Sequence, residues 1–250
     1  MNPTLTIARR ELKGYFASPV AFVFIVIFLL LASFFTFMMG GLLELGQASL
    51  SQTRDALVFF GWHPWLYLFL VPAVGMRMWS EERRLGTIEL LLTMPVTPWQ
   101  AIVGKFLASW VVVGVALILT FPVVITVNYL GSPDNGVIFA GYIGSFLLAG
   151  AYLAITSMTS AITRNQVVSF IISIVICFFL ILAGYRPVTE LFANWAPTWL
   201  VEGVAAFSVM THFEGMQKGV LDSRDVLYFL SVIAFSLFTT SVIIRAHRAG

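Results

Sequence analysis

Apolar positions along this chain fall into six long runs, near residues 20–42, 59–79, 101–130, 137–162, 167–184 and 226–244, separated by more polar connections. A helix needs about 20 apolar residues to cross a hydrocarbon core, so each run predicts one membrane-spanning helix. The expected fold class is all-α: a polytopic membrane protein with a single domain over 1–250. Pro72 and Pro122 lie inside the second and third runs. Each removes a backbone donor, which predicts a kink near both. The fourth run carries Gly141, Gly144, Ser145, Ala149, Gly150, Ala151 and Ala154. Small side chains let a neighbouring helix approach closely, so this face is expected to pack against protein. The first run ends without a small-residue cleavage pattern and is expected to be a retained span.

The connections differ in kind. Residues 1–18 place Leu5, Ala8, Leu12 and Phe16 at helical spacing with Arg9, Arg10 and Lys13 on other sides, which predicts an amphipathic helix on the membrane surface. Ser18-Pro19 should end it. The connection 80–100 carries Glu81, Glu82, Arg83 and Arg84, then a short helical stretch over 86–93 stopped by Pro95. Thr97-Pro98-Trp99-Gln100 reads as an N-cap, a first-position proline and a capping-box partner opening the third run. Residues 163–166 read as a tight turn. The segment 185–224 is too apolar for a loop and too polar to span; Trp195, Trp199, Leu200, Val201, Val204 and Phe207 predict short helices at an interface.

Composition agrees with a membrane solvent. Charged residues are 10% of the chain and hydrophobic ones 59%, against roughly a quarter charged in soluble domains. The position of the charges then sets orientation. With the N-terminus inside, the inner segments hold Arg9, Arg10, Lys13, Arg77, Arg83, Arg84, Lys105, Arg164, Arg245 and Arg248, ten of the fourteen basic residues. The outer segments hold eight of the twelve acids: Glu44, Asp55, Asp134, Glu190, Glu202, Glu214, Asp222 and Asp225. Six crossings with both ends cytoplasmic satisfy the positive-inside rule.

Candidate chemistry is conspicuous for what is missing. No Asp or Glu falls inside a run, whereas ion-coupled carriers usually need such groups. Gly104-Lys105 is followed by Phe106, so the phosphate-binding pattern G-x-x-x-x-G-K-[ST] is absent. Arg77 and Lys105 lie at inner ends of runs, where they are expected to snorkel. His63, His212 and His247 are scattered, Cys177 is the only cysteine, and the net charge of +2 suggests no nucleic-acid partner. No catalytic, cofactor or metal constellation emerges. No internal repeat of the kind seen in inverted-repeat transporters emerges either.

Two regions stand out. The charged stretch at Glu81–Arg84 has the bland reading of a positive-inside anchor. Its apolar ridge, Leu85, Ile88, Leu91 and Leu92, instead offers a surface to a docking partner. The second region is His212-Phe213-Glu214 followed by 219–225: Asp222 or Ser223 could cap the last helix and Arg224 could pair with carboxylates, or the segment could touch a ligand or partner.

Taken together, Arg10-Glu11-Leu12 with Phe16-Ala17-Ser18-Pro19, Met76-Arg77-Met78-Trp79-Ser80-Glu81-Glu82-Arg83-Arg84 with Gly86-Thr87-Ile88-Glu89-Leu90-Leu91, Met94-Pro95-Val96, Gly104-Lys105, and 212–229 from His212-Phe213-Glu214 through Asp225 make the chain resemble permease subunits of ABC-2 type transporters, within them the gliding-motility-type branch. The resemblance implies a six-helix permease without catalysis of its own, paired with a second copy or a paralogue. A separate ABC ATPase subunit would bind ATP and Mg. It further implies a coupling helix docking on that ATPase, here Glu81, Glu82, Arg83, Arg84, Leu85, Gly86, Thr87, Ile88, Glu89 and Leu91. An interfacial helix would carry Arg9, Arg10, Glu11 and Lys13, and short outer helices would carry His212, Glu214, Asp222, Arg224 and Asp225. Members of that branch often work with a membrane-anchored accessory protein, in a bacterial cytoplasmic membrane, among lipids. A membrane anchor or scaffold that moves nothing is the competing class; an ion-coupled carrier is a third.

Overall fold

The structure is a computed structural model that describes residues 3–39, 59–88, 96–130, 133–193 and 197–246. Among these residues it is entirely helical apart from turns and connections. Helix α1, Pro3–Ala17, stops because Ser18 precedes Pro19 and is forced into extended backbone (φ −100°, ψ 155°). Pro19 then opens α2, Pro19–Phe34, whose last turn widens to π geometry over Phe35–Met39. Residues 40–42 of the first run, and 43–58 after it, lie outside the described residues.

The second run is not one helix. It forms α3, His63–Gly75, and α4, Arg77–Leu85, with a break at Met76. The third run begins as expected at α5, Pro98–Ile118, with the complete capping box: Gln100 N–H donates to Thr97 Oγ1 (3.4 Å) and Thr97 N–H to Gln100 Oε1 (3.0 Å). It then breaks at Leu119–Thr120 and resumes as α6, Phe121–Leu130. Pro122 has no N–H for the Ile118 carbonyl and its ring crowds that oxygen, which accounts for the kink. Thr120 Oγ1 instead donates to Leu117 O (2.6 Å) and sits 2.8 Å from the Tyr142 hydroxyl.

Helix α7, Asn135–Ile162, is the centre of the bundle. Asp134 caps it, accepting the Gly136 N–H at 2.8 Å. It packs against α3, α4 and α5, and against three later helices: α8, Gln166–Leu182; α11, Val209–Gln217; and α12, Ser223–Ala246. The small residues permit this. A methyl group at Gly150 would come within 2.8 Å of the Trp110 ring, and one at Gly144 within 2.9 Å of Met216. Trp110 stacks on Phe146 at 4.4 Å and donates Nε1–H to the Phe146 carbonyl oxygen (2.9 Å). The expected close-packed face of the fourth run is therefore observed.

The tight turn after α7 is closed by Asn165, which accepts the Val167 N–H (2.9 Å) and starts α8. The segment before α12 folds into α9, Arg186–Ala193, α10, Thr198–Ala206, and α11; Trp195 lies outside the described residues. Exposed Trp199 and Phe207 fit an interfacial setting.

Among the described residues four helical stretches are long and apolar enough to cross a membrane: Pro19–Met38, Pro98–Tyr129, Asn135–Ile162 and Ser223–Ala246. Gln166–Leu182 is apolar but only 17 residues long, and the interruption at Met76 leaves α3 at 13 residues. These two are why the helices identified as spans by length number four where the sequence suggested six.

Candidate functional site

The charged residues singled out in the first part of the chain meet at one end of the bundle, between α1, α4 and α5. Lys105 lies about two turns into α5 and is only 5% exposed. The expectation that it snorkels to the surface is overturned, because two carboxylates reach in to it. Its Nζ lies 2.9 Å from Glu82 Oε1 of α4 and 3.3 Å from Glu11 Oε1 of α1, and 5.4 Å from the centre of the Trp79 ring. Arg10 Nη2 also donates to Glu11 Oε1 at 2.9 Å. Burial alone would raise the Glu11 pKa, but Lys105 and Arg10 outweigh it and hold the carboxyl below its usual range. Removing one partner from such a buried set typically costs about 3–5 kcal/mol, since a desolvated charge is left uncompensated.

Close packing brings α1 to this position. A methyl group at Gly104 would fall within 2.9 Å of Ile7 and 3.0 Å of the Thr4 carbonyl oxygen, so α1 lies directly on α5 there. At the other end of α1 the Tyr15 hydroxyl is 2.8 Å from Ser109 Oγ of α5 and 3.3 Å from the Val74 carbonyl oxygen of α3. The inward face of α1 is thus Thr4, Ile7, Glu11 and Tyr15, with Leu12 and Phe16 partly buried beside it. Ile7, rather than Leu5, lies against Gly104, and Leu5 is exposed on the outer side of α1. Arg9 and Lys13 remain on the exposed side. A cavity of about 300 Å³, lined by Glu11, Tyr15, Arg77, Glu81 and Lys105 among others, opens between the three helices.

The root of α4 is held from the opposite side by α7. Ser160 Oγ accepts N–H groups from both Trp79 and Ser80 (3.0 Å each) and donates to the Met76 carbonyl oxygen (2.9 Å). One hydroxyl therefore stands inside the break between α3 and α4 and satisfies the Trp79 N–H, which the interrupted ladder would leave orphaned. Trp79 Nε1–H donates to Ser157 Oγ (3.1 Å), and the Arg83 guanidinium donates to the Ala161 carbonyl oxygen.

Beyond this root the docking candidates separate. α4 carries its charges to Leu85, and Gly86 ends it at φ +71°, a left-handed conformation that suits glycine, with its N–H on the Glu82 carbonyl oxygen; of the helix expected over 86–93, Thr87 and Ile88 are helical and 89–93 lie outside the described residues. Arg84, Leu85 and Thr87 are exposed, Glu81 and Arg83 are half-buried, and Glu82 is turned inward to Lys105. Ile88 packs partly against the core, and Leu91 and Leu92 of the expected ridge lie outside the described residues. Glu89 lies outside them as well.

The second candidate region gathers at the opposite end of α12. His212 Nδ1 lies 2.7 Å from Asp225 Oδ1, its Nε2 is 3.1 Å from the Ala206 carbonyl oxygen, and its ring stacks on Tyr228 at 4.0 Å. Asp222 is the cap of α12, accepting the Arg224 N–H at 2.9 Å. Glu214 pairs with Lys218 one turn on (2.6 Å). Each contact fastens one helix to another or closes a turn. Among the described residues no group of three His, Cys, Asp or Glu side chains gathers to hold a metal.

Sequence reasoning missed Ser157 and Ser160, which look like ordinary small residues of the fourth run, and missed the partners of Lys105.

A bundle of long apolar helices around α7, with a charged helix root at one end, is a multi-pass membrane protein. A family model described as "ABC-2 family transporter protein" matches residues 5–200, and the chain belongs to that family. It is accordingly a membrane permease of the ABC-2 class, the transport subunit of an ABC transporter. No curated protein matches the chain.

Proposed function

We propose that this permease is the membrane half of an ATP-driven exporter of the gliding-motility-type branch, working as a pair with a second copy or a paralogue. A separate ABC ATPase binds ATP and Mg and docks on the segment from Glu81 to Leu91. In this reading the chain crosses the bacterial cytoplasmic membrane six times with both ends inside, Gln166–Leu182 and the α3–α4 pair supplying the two shorter crossings. A membrane-anchored accessory protein joins the assembly, and nucleic acid has no part in it.

The observation that carries the reading is α4 itself. Its root is fixed to α5 and α7 by Lys105, Ser160 and Ser157, while its tip offers Arg84 and Leu85, the latter 62% exposed, outside the bundle. An apolar side chain between charges on a braced helix end is suited to insertion into a groove of another protein. Leu85→Asp should abolish copurification with the ATPase while leaving membrane insertion intact. Normal recovery of the ATPase with that variant would overturn the docking assignment.

A further inference from the structure

We propose that Lys105 is the positioning residue through which movement of α4 reaches α1, so that the docking helix, the N-terminal helix and the base of α5 shift as one body. The proposal rests on the reading of α4 as the ATPase dock.

Three features let α4 tilt about its root, which Ser157 and Ser160 pin to α7. Its ladder is interrupted at Met76, it ends at the left-handed Gly86, and an adjoining cavity of about 300 Å³ leaves room beside it. What opposes independent movement is electrostatic. Glu82 holds Lys105 through Oε1, while its Oε2 is buried without a hydrogen-bond partner. Pulling Glu82 away would leave that carboxylate short of a cation and Lys105 desolvated against Glu11 alone, in surroundings where charge interactions are little screened. Among the described residues Lys105 is the side chain that binds carboxylates from both α1 and α4. The ammonium is therefore held from two sides. Displacement of α4 draws Lys105, and Lys105 draws Glu11.

α1 is built to follow. It joins α2 through the extended Ser18, a single-residue joint, and lies on α5 at Gly104, where the two helices are in close contact. A helix hinged at one end and tied by a buried charge near its middle pivots as a lever. Surface anchoring alone would predict the opposite, with α1 stationary in the lipid headgroups while α4 moves beneath it.

The test uses the full complex with its copurifying ATPase in lipid nanodiscs. Spin labels go on Lys13→Cys, on the exposed side of α1, and Val242→Cys, exposed on α12; Cys177 is buried and stays. Pulsed electron resonance reads their separation with and without ATP–vanadate trapping. The expected result is a nucleotide-dependent shift in the parent pair that is lost in Lys105→Met and retained in Lys105→Arg, with the ATPase bound throughout. Glu11→Gln, which keeps the side-chain shape and lies outside the docking segment, should lose the shift as well and serves if Lys105→Met does not fold. A shift that survives in Glu11→Gln or Lys105→Met, or none in the parent, overturns the proposal; a merely structural lysine would lower the melting temperature and leave the shift in place. Should the ATPase fail to copurify with the parent permease, the docking reading falls instead.

Discussion

Replacing Ser160 with Ala tests the break between α3 and α4 most directly. The hydroxyl serves three backbone groups: it accepts from Trp79 N and Ser80 N and donates to Met76 O. The carbonyl is not orphaned by the change, because Ser80 Oγ also donates to it at 2.6 Å. The Trp79 N–H is, since the break at Met76 takes it off the regular ladder and Trp79 is fully buried, whereas the Ser80 N–H keeps Met76 O, the N-cap carbonyl of α4, four residues behind it. An unsatisfied buried donor costs about 1–3 kcal/mol. With one donor left unpaired, the expected loss is about 1–3 kcal/mol. Denaturation in mixed micelles reads it. Ser231→Ala is the control: its hydroxyl donates to Tyr228 O (2.7 Å) on an exposed face of α12, and the change should stay within about 0.5 kcal/mol. The loss should also be local, with trypsin cutting faster after Arg84 while cutting at Arg245 is unchanged. If Ser160→Ala and Ser231→Ala unfold alike, the hydroxyl does not hold the break.

Other outcomes follow from the same geometry. Gly141 faces the Phe60 ring so closely that Gly141→Ala should destabilise the bundle by about 1–3 kcal/mol, whereas Gly14→Ala, with nothing near its added methyl, should stabilise α1 by about 0.5–1 kcal/mol; thermal unfolding of the two variants checks the opposite signs. Because the Glu11 carboxyl titrates below its unfolded value, its contribution is present above that value and disappears as pH falls through the folded one. Acid melting curves should therefore show a loss of stability that Glu11→Gln blunts. His212→Ala removes contacts to Asp225, Ala206 and Tyr228 and should loosen α11 from α12, seen as faster hydrogen exchange over 206–217 with ATPase copurification unchanged.

Much of the architecture is legible because its signals are local. Pro19 after Ser18, the Thr97–Gln100 box, Asn165 before Val167 and Asp222 before the last helix each act within four residues, so a linear reading finds them. The kink before Pro122 is equally local. The break at Met76, beside Gly75 and four residues past Pro72, is local only in part: it is stabilised by a serine 84 positions away. The charged site fails the linear reading for the same reason. Lys105 beside a glycine looks like a lysine at a span entrance, and nothing in its neighbours reveals that Glu11 and Glu82 converge on it from two other helices. The turn of α1 was equally hidden, because Leu5 and Ile7 are both apolar and only the contact at Gly104 decides which faces inward.

The burial of α7 has a consequence for how the protein is made. It is the least apolar of the four long stretches, with mean hydropathy 1.8 against 2.9 for Pro19–Met38, yet 72% of its apolar window is covered by protein against 28%. A nascent Pro19–Met38 can therefore leave the translocon for lipid on its own hydrophobicity. Asn135–Ile162 exposes glycines and hydroxyls until α12 arrives about sixty residues later in synthesis, at a few residues per second. During those seconds it depends on α3 and α5 for shelter, so chains that stall before Ser223 should be the ones that membrane quality control removes.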